Sequence, residues 1–376
     1  MKLLLIGSGN RARAYAEYLK DEIAYVCDPN IEKAGLLIKE YGLQNAEACR
    51  DYNGILDIDG IIIAVPDYKH EEVFNKVIGG GLPILLEKPV SVSNESLKRL
   101  YNIGKEYRSS IILGFTLRYT FMYKTILRLL GEGRIGQVIS VEACETLDPI
   151  HAAKFFRRWH RNSRFSGGFL NTKCSHDMDM INLITPGNPL MISSFGSNSI
   201  FRPGRGEERC TENCDEFKTC KFVDNNIYKF STADKGICPY NIDSDIVDHQ
   251  VAAIEFDSGA TAVFTVSMHS DKGNRHIRIH GTDGAIKASF DDQMVFLMKD
   301  GKEDQVFAPE DTGGSHGGGD RELCRIFTEC IKSGNQINQL KDGITASAMA
   351  LGADEARLSG RVVDLRLFAD YIHNKK

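Results

Sequence analysis

The first 28 residues constrain the fold more than any other part of the chain. A short apolar run over residues 2–6 has the length of a strand, a glycine turn follows at residues 7–12, and the next ten residues have helical spacing. A second apolar run over residues 23–27 ends in Asp28. An acid about twenty residues past the glycines of a strand, turn, helix and strand is typical of a dinucleotide-binding βαβ unit. We therefore expect such a unit to start at the first residue.

The small residues of the turn each meet a physical demand of that site. Gly7 permits the tight turn out of the strand. Gly9 lets the backbone approach a pyrophosphate that lies on the helix N-terminus. Ala12 takes the third position of the motif, where helix and strand must pack closely. The turn is therefore interpreted as the diphosphate-binding turn.

Asp28 bears on the choice of dinucleotide. Its carboxylate can accept hydrogen bonds from the adenosine ribose hydroxyls and would repel a 2′-phosphate. This favours NAD over NADP. Arg11 and Arg13 lie near the turn and leave NADP open as the second alternative.

Composition excludes several classes of function. The 376 residues suffice for two or three domains, and 42% hydrophobic with 26% charged residues is ordinary for a globular chain. A net charge of -5 does not provide the excess of positive charge that binds nucleic acid or an anionic membrane, so we expect a small-molecule partner. Neither an export signal nor a run of the roughly twenty apolar residues that cross a bilayer is found. We expect a cytoplasmic protein whose ten cysteines are reduced thiols or metal ligands, not a disulfide framework.

The hydrophobic pattern changes near residue 119. Before it, buried-type apolar runs alternate with helical stretches, which predicts an α/β domain with a doubly wound parallel sheet over residues 1–118. After it, strand-length runs joined by Asp-Gly and Ser-Gly turns indicate antiparallel meanders, and two helices come last. We expect an α+β substrate and oligomerisation domain over residues 119–376, with a cysteine-rich insertion at about 202–245. His269, His276 and His280 are interpreted as sheet residues, and the glycine-rich run 313–319 as a mobile loop.

Motifs occur along essentially the whole chain, at residues 7–13, 64–70, 87–89, 133–136 and the pair Gly167-Gly168 with residues 176–179. In these motifs the chain resembles the Gfo/Idh/MocA family of NAD(P)-dependent oxidoreductases. The resemblance implies a Rossmann domain followed by an open-faced mixed sheet, with the nicotinamide in the crevice between them. It also implies a sugar or cyclitol substrate and homodimers or homotetramers that form through the second sheet.

Lys88 is a candidate site residue in its own right. It lies at the carboxyl end of a predicted strand between Glu87 and Pro89, and such sheets bind ligands at that edge. The alternative is an ordinary surface lysine. The resemblance implies that this lysine binds the reacting hydroxyl and helps to move its proton. We also expect the peptide bond before Pro89 to be cis.

His176 is the candidate general base. A neutral histidine can take an alcohol proton as hydride leaves carbon, and the resemblance places the family's catalytic histidine here; the alternative is a hydrogen-bonded interface histidine. Ser175 is expected to cap a helix whose first turn carries two aspartates. The chain departs from the family pattern four residues earlier, where Thr172 replaces an aspartate and Lys173 follows.

Further residues complete the candidate site. Arg118 and Trp159 are expected to contact the substrate, because guanidinium groups bond hydroxyls and an indole face stacks on a sugar ring. The alternative for Trp159 is an ordinary core residue. His70 is expected to support the crevice by packing and hydrogen bonding. The predicted substrate set is Lys88, Arg118, Trp159, Thr172, Lys173 and His176. The predicted cofactor set is Gly7, Gly9, Asn10, Arg11, Ala12, Asp28, Pro66, His70, Glu87 and Lys88.

The insertion carries four of the ten cysteines, at Cys210, Cys214, Cys220 and Cys238. Forty-odd residues with few periodic apolar positions cannot bury a core of their own, and a structural zinc ion held by four thiolates would stabilise them. Free thiols in a packed loop are the equal alternative, and an iron–sulfur cluster is a minor third.

These features together predict an NAD-dependent oxidoreductase that acts on a secondary alcohol of a sugar, cyclitol or sugar derivative. The missing aspartate keeps a second hypothesis open, an NAD-dependent glycosidase of the same family that oxidises the sugar transiently and eliminates the aglycone. A third hypothesis is a catalytically silent sensor that binds NAD or a sugar.

Overall fold

The computed structural model describes residues 1–202, 210, 214–223, 237–240, 243–310 and 315–366. Within these ranges the strands form two sheets, one of six strands and one of nine. No helix in them combines the length and the apolar character needed to span a bilayer. The predicted loop 313–319 lies partly outside the described residues, and residues 315–318 form one turn of 3-10 helix.

The first sheet is the predicted doubly wound parallel sheet. Its strands run in the order β3-β2-β1-β4-β5-β6, and every neighbouring pair is parallel. Four of these strands are buried at every position, as expected when helices cover both faces. The strand order reverses between β1 and β4, which opens the ligand crevice at their carboxyl ends. The elements are β1 Leu3–Ile6, α1 Asn10–Tyr18, β2 Ile23–Cys27, α2 Ile31–Tyr41, β3 Glu47–Cys49, β4 Gly60–Ile63, α3 His70–Val77, β5 Ile84–Leu86, α4 Asn94–Gly104 and β6 Ile111–Leu113.

The second sheet is mixed and mostly antiparallel, as predicted. Its order is β14-β13-β12-β11-β7-β10-β9-β8-β15, and β7 with β10 is a parallel pair. The elements are α5 Phe121–Gly131, β7 Val138–Thr146, α6 Pro149–Arg157, α7 Ser163–Ser166, α8 Phe169–Ile184, β8 Pro189–Ser197, β9 His249–Phe256, β10 Thr261–Ser267, β11 Asn274–Gly281, β12 Gly284–Ser289, β13 Val295–Met298, β14 Gln305–Phe307, α9 Gly319–Ser333, α10 Leu340–Ser359 and β15 Val363–Asp364.

Two predictions concern the side chains of this sheet: the placement of three histidines in it, and assembly of subunits through it. His276 and His280 lie in β11 as predicted, whereas His269 follows the end of β10 and contacts Lys221. Phe195 is 72% exposed and Ile139 is 50% exposed on the sheet. Assembly through this sheet remains a prediction.

The last two helices return to the first domain. Leu323 and Phe327 of α9 are fully buried in one cluster with Leu3 and Leu5 of β1. Helix α10 packs between α4 of the first domain and α8 of the second. The C-terminal part of the chain therefore fastens the two sheets to each other.

Helix α8 starts earlier than the sequence predicts. It begins at Phe169, so the prediction that Ser175 caps a helix is wrong, and Ser175 is buried inside it. Two glycines set the start instead. Gly167 and Gly168 have φ angles of +69° and +90°, and a Cβ on Gly168 would lie 1.6 Å from Asp354 Oδ2. Only glycine fits this turn.

Strand β3 and a disulfide bond also differ from the prediction. The sequence does not predict β3, whose residues are partly exposed at the sheet edge. Cys27 of β2 and Cys49 of β3 are direct partners in the parallel register, with Cα atoms 4.6 Å apart, and form a disulfide. The expectation that all ten cysteines are reduced or ligate metal is therefore wrong for this pair, because pairing with the unpredicted strand brings them within bonding range.

Candidate functional site

The glycine turn presents an open helix N-terminus. Gly7 has φ +105°, and a Cβ there would lie 2.4 Å from the carbonyl oxygen of Ala64, so no other residue fits. Gly9 is the N-cap of α1, with Asn10 exposed beside it, and no side chain bonds to the cap. The first N–H groups of the helix are therefore available to a diphosphate.

Asp28 lies at the end of β2, where an adenosine ribose is expected to bind. One carboxylate oxygen accepts a hydrogen bond from the Ser8 hydroxyl at 2.5 Å, and the other accepts one from the Asn30 N–H at 2.9 Å. These contacts fix the carboxylate beside the glycine turn. The placement fits the role predicted for Asp28.

The two arginines near the turn are held by other groups. Arg11 donates to Glu87 Oε1 at 2.6 Å and to Asp320 Oδ1 at 2.7 Å. Arg13 donates to Glu40 Oε2 at 3.1 Å and to the Ser8 carbonyl at 2.7 Å. A 2′-phosphate would have to break such contacts to gain a cation, so the geometry favours NAD.

The turn after β5 is built on a buried carboxylate. Glu87 is 2% exposed and accepts hydrogen bonds from Arg11 and from the Tyr15 hydroxyl. The Lys88–Pro89 peptide bond is cis, which confirms the prediction. His70 is fully buried, and its ring nitrogens lie 2.6 Å from the Pro89 carbonyl and 3.0 Å from the Val65 carbonyl. His70 thus supports this turn, and burial lowers the pKa of its imidazole.

Lys88 meets helix α8 across the crevice. Its Nζ donates to the carbonyl oxygen of Thr172 at 2.7 Å. Burial lowers the pKa of Lys88, and the carboxylates of Asp67 and Glu87 oppose that shift. The amine therefore lies in a confined site whose charge depends on the carboxylates around it.

Asp67 is the site residue that the sequence reasoning missed. It is 9% exposed in the turn after β4, and its Oδ2 accepts a hydrogen bond from the Thr172 hydroxyl at 2.6 Å. Burial raises the pKa of Asp67 to about 7, although the charge of Lys88 and the bond from Thr172 oppose the rise. The sequence contains the signal, since Asp67 follows a predicted strand at the same sheet edge as Lys88.

His176 lies one helical turn beyond Thr172. Residues four apart share a helix face, so His176 faces the same crevice as the Thr172 contacts. Its side chain is 7% exposed, and its ring meets the edge of the Phe115 ring with centroids 5.9 Å apart. The structure thus gathers Lys88, Thr172 and His176, although their catalytic roles remain predictions.

Lys173 has a partner of its own. Its Nζ lies 2.5 Å from Glu145 Oε1, and Arg275 binds the same carboxylate. Lys173 still contributes to the lowered pKa of Lys88. It is therefore a neighbouring charge, paired with Glu145, and its contact with substrate remains a prediction.

Arg118 joins helices in the interior. It forms a bidentate salt bridge with Asp179 and donates to Asp342 Oδ2 at 3.0 Å, with 9% of its side chain exposed. These contacts give it a structural role between α8 and α10. Nothing in them supports the substrate role predicted for Arg118, which remains untested.

Trp159 belongs to an aromatic wall beside Asp67. We use this name for Tyr68, Trp159, His160 and Phe165. Trp159 stacks on His160 with centroids 3.8 Å apart, and Tyr68 meets Trp159 edge-on at 5.7 Å and Phe165 at 5.0 Å. Burial and the charges of Arg158 and Lys88 lower the pKa of His160 to about 3, so its imidazole is uncharged near pH 7.

The cysteines of the insertion are only partly brought together. Cys210 and Cys238 contact each other, and Arg157 donates to Cys210 Sγ at 3.3 Å. The bond from Cys238 and the charge of Arg157 lower the pKa of Cys210 to about 6. Among the described residues, the group of three potential metal ligands is elsewhere, at Glu145, Cys174 and Asp177. The zinc site remains a prediction.

Comparison with known proteins identifies the two domains. A family model described as "Oxidoreductase family, NAD-binding Rossmann fold" matches residues 1–115. A second, described as "Oxidoreductase family, C-terminal alpha/beta domain", matches residues 128–365. Together they cover most of the chain.

Individual relatives are distant. YteT of Bacillus subtilis (strain 168) is 24% identical over 299 residues, 70% of each chain. Glucose-6-phosphate 3-dehydrogenase of the same strain is 26% identical over 186 residues, 48% of this chain and 52% of that enzyme. A solved levoglucosan dehydrogenase in complex with NADH and levoglucosan has a TM-score of 0.78 at 18% identity and covers 97% of this chain and 99% of that one. This last likeness shows a shared fold.

We predict that Asp28 sets the cofactor preference. Asp28→Ala should weaken NAD binding roughly ten- to a hundredfold, because about 1.5–3 kcal/mol of charged hydrogen bonding is lost. It should leave NADP binding unchanged or improved, because a repulsive charge is removed. Dissociation constants of both cofactors for wild type and variant check this, with the exposed Asp57→Ala as control. Wild type that binds NADP as tightly as NAD would contradict the prediction.

We also predict one zinc ion per chain, held by the four cysteines of the insertion and away from the nicotinamide. Thiolate is the ligand form; the hydrogen bond between Cys210 and Cys238 lowers the pKa of Cys210 and raises the pKa of Cys238, so Cys238 must lose its proton to bind the metal. Elemental analysis of protein purified without chelator or affinity tag should find near one equivalent. Cys214→Ser should lose the metal, whereas Cys144→Ser on β7 should keep it. Absence of zinc and iron, with four thiols that react freely in the native protein, would rule the site out.

Proposed function

We propose that this chain, which belongs to the Gfo/Idh/MocA oxidoreductase family, transfers a hydride between NAD and a secondary alcohol of a sugar, a cyclitol or a sugar derivative. The observation that carries the proposal is the hydrogen bond from Lys88 to the Thr172 carbonyl oxygen of α8. It lies one helical turn from His176, at the carboxyl edge of the first sheet. That edge is also where the glycine turn and Asp28 lie.

The residues of the first domain fit NAD. The open N-terminus of α1 would hold the diphosphate, and Asp28 would accept hydrogen bonds from the ribose. Bound NAD supplies the acceptor for the hydride of the alcohol carbon. The chain's own residues must then hold the hydroxyl and remove its proton.

Lys88 and His176 are the groups proposed for that task. The Lys88 ammonium can donate a hydrogen bond to the reacting oxygen and stabilise the negative charge that develops as its proton leaves. His176 can accept the proton as a neutral imidazole. In the reverse direction His176 returns the proton and Lys88 polarises the carbonyl.

The aromatic wall supports a ring-shaped polyol as substrate. Tyr68 is 39% exposed and Phe165 is 37% exposed, so apolar ring faces remain available beside the polar groups. An aromatic face against C–H groups, with charged groups for the hydroxyls, is a common way to bind a sugar. Relatives named for levoglucosan, inositol and glucose 6-phosphate act on compounds of this kind.

Incubation with a panel of sugars, cyclitols and aryl glycosides tests the proposal. NADH absorbance and aglycone release are followed in the same samples. Stoichiometric NADH with one class of polyol is the expected result. Aglycone release without net NADH would instead establish the NAD-dependent glycosidase, and neither signal across the panel would favour the sensor.

Lys88→Ala and His176→Ala should each lower kcat by roughly a hundredfold or more while NAD binding stays nearly intact. This is the magnitude expected when a positioned acid or base is removed. Steady-state kinetics and cofactor titration measure the two effects, with the exposed Lys98→Ala on α4 as the matched lysine control. Activity within a few fold of wild type in either variant would remove that residue from the mechanism.

A further inference from the structure

We infer that Asp67 is the carboxylate that keeps Lys88 charged and directed into the crevice, where the residue of α8 that bonds Lys88 is the neutral Thr172. The inference rests on the proposed function, because it assigns a positioning residue to the proposed site. It makes the turn after β4 part of the catalytic machinery.

The topology brings Asp67 and Lys88 to one edge. Strands β4 and β5 are parallel neighbours, and Ile63 pairs with Leu86 in their register. Asp67 and Lys88 follow these partners by a few residues, so both lie at the carboxyl edge of the sheet. Neither position depends on a long flexible loop.

Thr172 binds both groups at once. Its hydroxyl donates to Asp67 Oδ2 at 2.6 Å, and its carbonyl oxygen accepts from Lys88 Nζ at 2.7 Å. One residue of α8 therefore fixes the carboxylate and the amine on the same side of the crevice. The carboxylate of Asp67 is 9% exposed, so water screens its interaction with Lys88 little.

The nearby Glu87 is committed to other cations and donors. Glu87 accepts from Arg11 at 2.6 Å, from Tyr15 and from the Lys88 backbone N–H at 3.2 Å. Asp67, by contrast, accepts from a neutral hydroxyl. Lys88 is partly buried and its Nζ is bonded to a neutral carbonyl oxygen, so its charge needs a nearby carboxylate, and Asp67, bonded to the same Thr172, is placed to supply it.

The charged groups around Asp67 and Lys88 determine how the protonation of these two residues changes with pH. Glu87 lies on the β5 side, Arg11 on α1, Lys173 on α8 and His160 in the aromatic wall. The pKa of Asp67 is about 7, so above neutral pH Asp67 is ionised and raises the pKa of Lys88. As pH falls through 7, Asp67 takes a proton and this support of the lysine charge is lost.

A purely structural role for Asp67 is the competing interpretation. The bond to Thr172 also ties the β4 turn to α8, and loss of that bond would loosen the crevice. Asp67→Asn separates the two roles, because an amide oxygen still accepts from Thr172 while the charge is gone. A change in Lys88 ionisation therefore reports charge and not packing.

The first experiment measures Lys88 ionisation directly. The rate at which an amine-acylating reagent labels Lys88 is followed by mass spectrometry from pH 6 to 11, in the intact protein without substrate. In Asp67→Asn the labelling midpoint should fall by about 1 to 3 pH units, the shift expected from an opposite charge at close range. Asp354→Asn removes another partly buried carboxylate, held by Gln250 and Arg357, and should leave the midpoint unchanged.

The second experiment moves the carboxylate. Asp67→Asn should lower kcat at least tenfold with NAD binding intact, and the pH profile of kcat should change shape. The double variant Asp67→Asn with Thr172→Asp puts the charge on α8 and should recover most of the lost kcat. Recovery by relocation would not occur if Asp67 only packed.

The outcomes separate this inference from the proposed function. An unchanged Lys88 midpoint in Asp67→Asn overturns the inference whatever the activity of the enzyme. A wild type that oxidises no polyol overturns the proposed function, while the labelling experiment still decides whether Asp67 controls Lys88. A lowered midpoint together with kcat within a few fold of wild type would overturn the catalytic part of the role.

Discussion

The site depends on the hydrogen bonds and the ion pair formed by one buried carboxylate, that of Glu87. It accepts from Arg11 and Tyr15 of α1 and from the backbone N–H of Lys88, and Arg11 continues to Asp320 of α9. One anion, through Arg11, thus connects the glycine turn, the lysine turn and helix α9. A buried ion pair broken on one side leaves an uncompensated charge, which costs about 3–5 kcal/mol. The position of Lys88 is therefore coupled to the cofactor turn through charge as well as through the sheet.

The fold could be predicted from the sequence where burial leaves a simple pattern. Strands inside the sheet appear as apolar runs, so β2 is predicted with the bounds that the structure has. Patterns fail where long-range contacts decide the structure. Edge strand β3 is too short and exposed to leave a signal, and the start of α8 is set by Gly168 against Asp354, far away in sequence. Ser175 has the residue type of a cap, but tertiary packing extends the helix past it.

The candidate site could be predicted only in its local parts. Asp28 and Lys88 occupy positions that a strand and a turn define, so their placement follows from short-range pattern. Asp67 also follows a strand at this edge, but its contact with Thr172, 105 residues away, is not part of the local pattern. Arg118 is predicted to contact the substrate because guanidinium groups bond hydroxyls, and the sequence does not show that Asp179 and Asp342 also bind it inside the protein. A sequence indicates which side chains are charged, whereas the fold decides which charges neutralise one another.

Asp67 lies on the first domain, whereas Thr172, to which it is bonded, lies on α8 of the second domain. Asp67 and Lys88 both follow strands of the first sheet, while Thr172 and His176 lie on α8. Thr172 bridges the two sides through its hydroxyl and its carbonyl oxygen. Movement of α8 away from the sheet would break both bonds and expose the carboxylate and the amine to water, which weakens their interaction. The charge state proposed for Lys88 and the approach of His176 therefore depend on the same contact between α8 and the first domain.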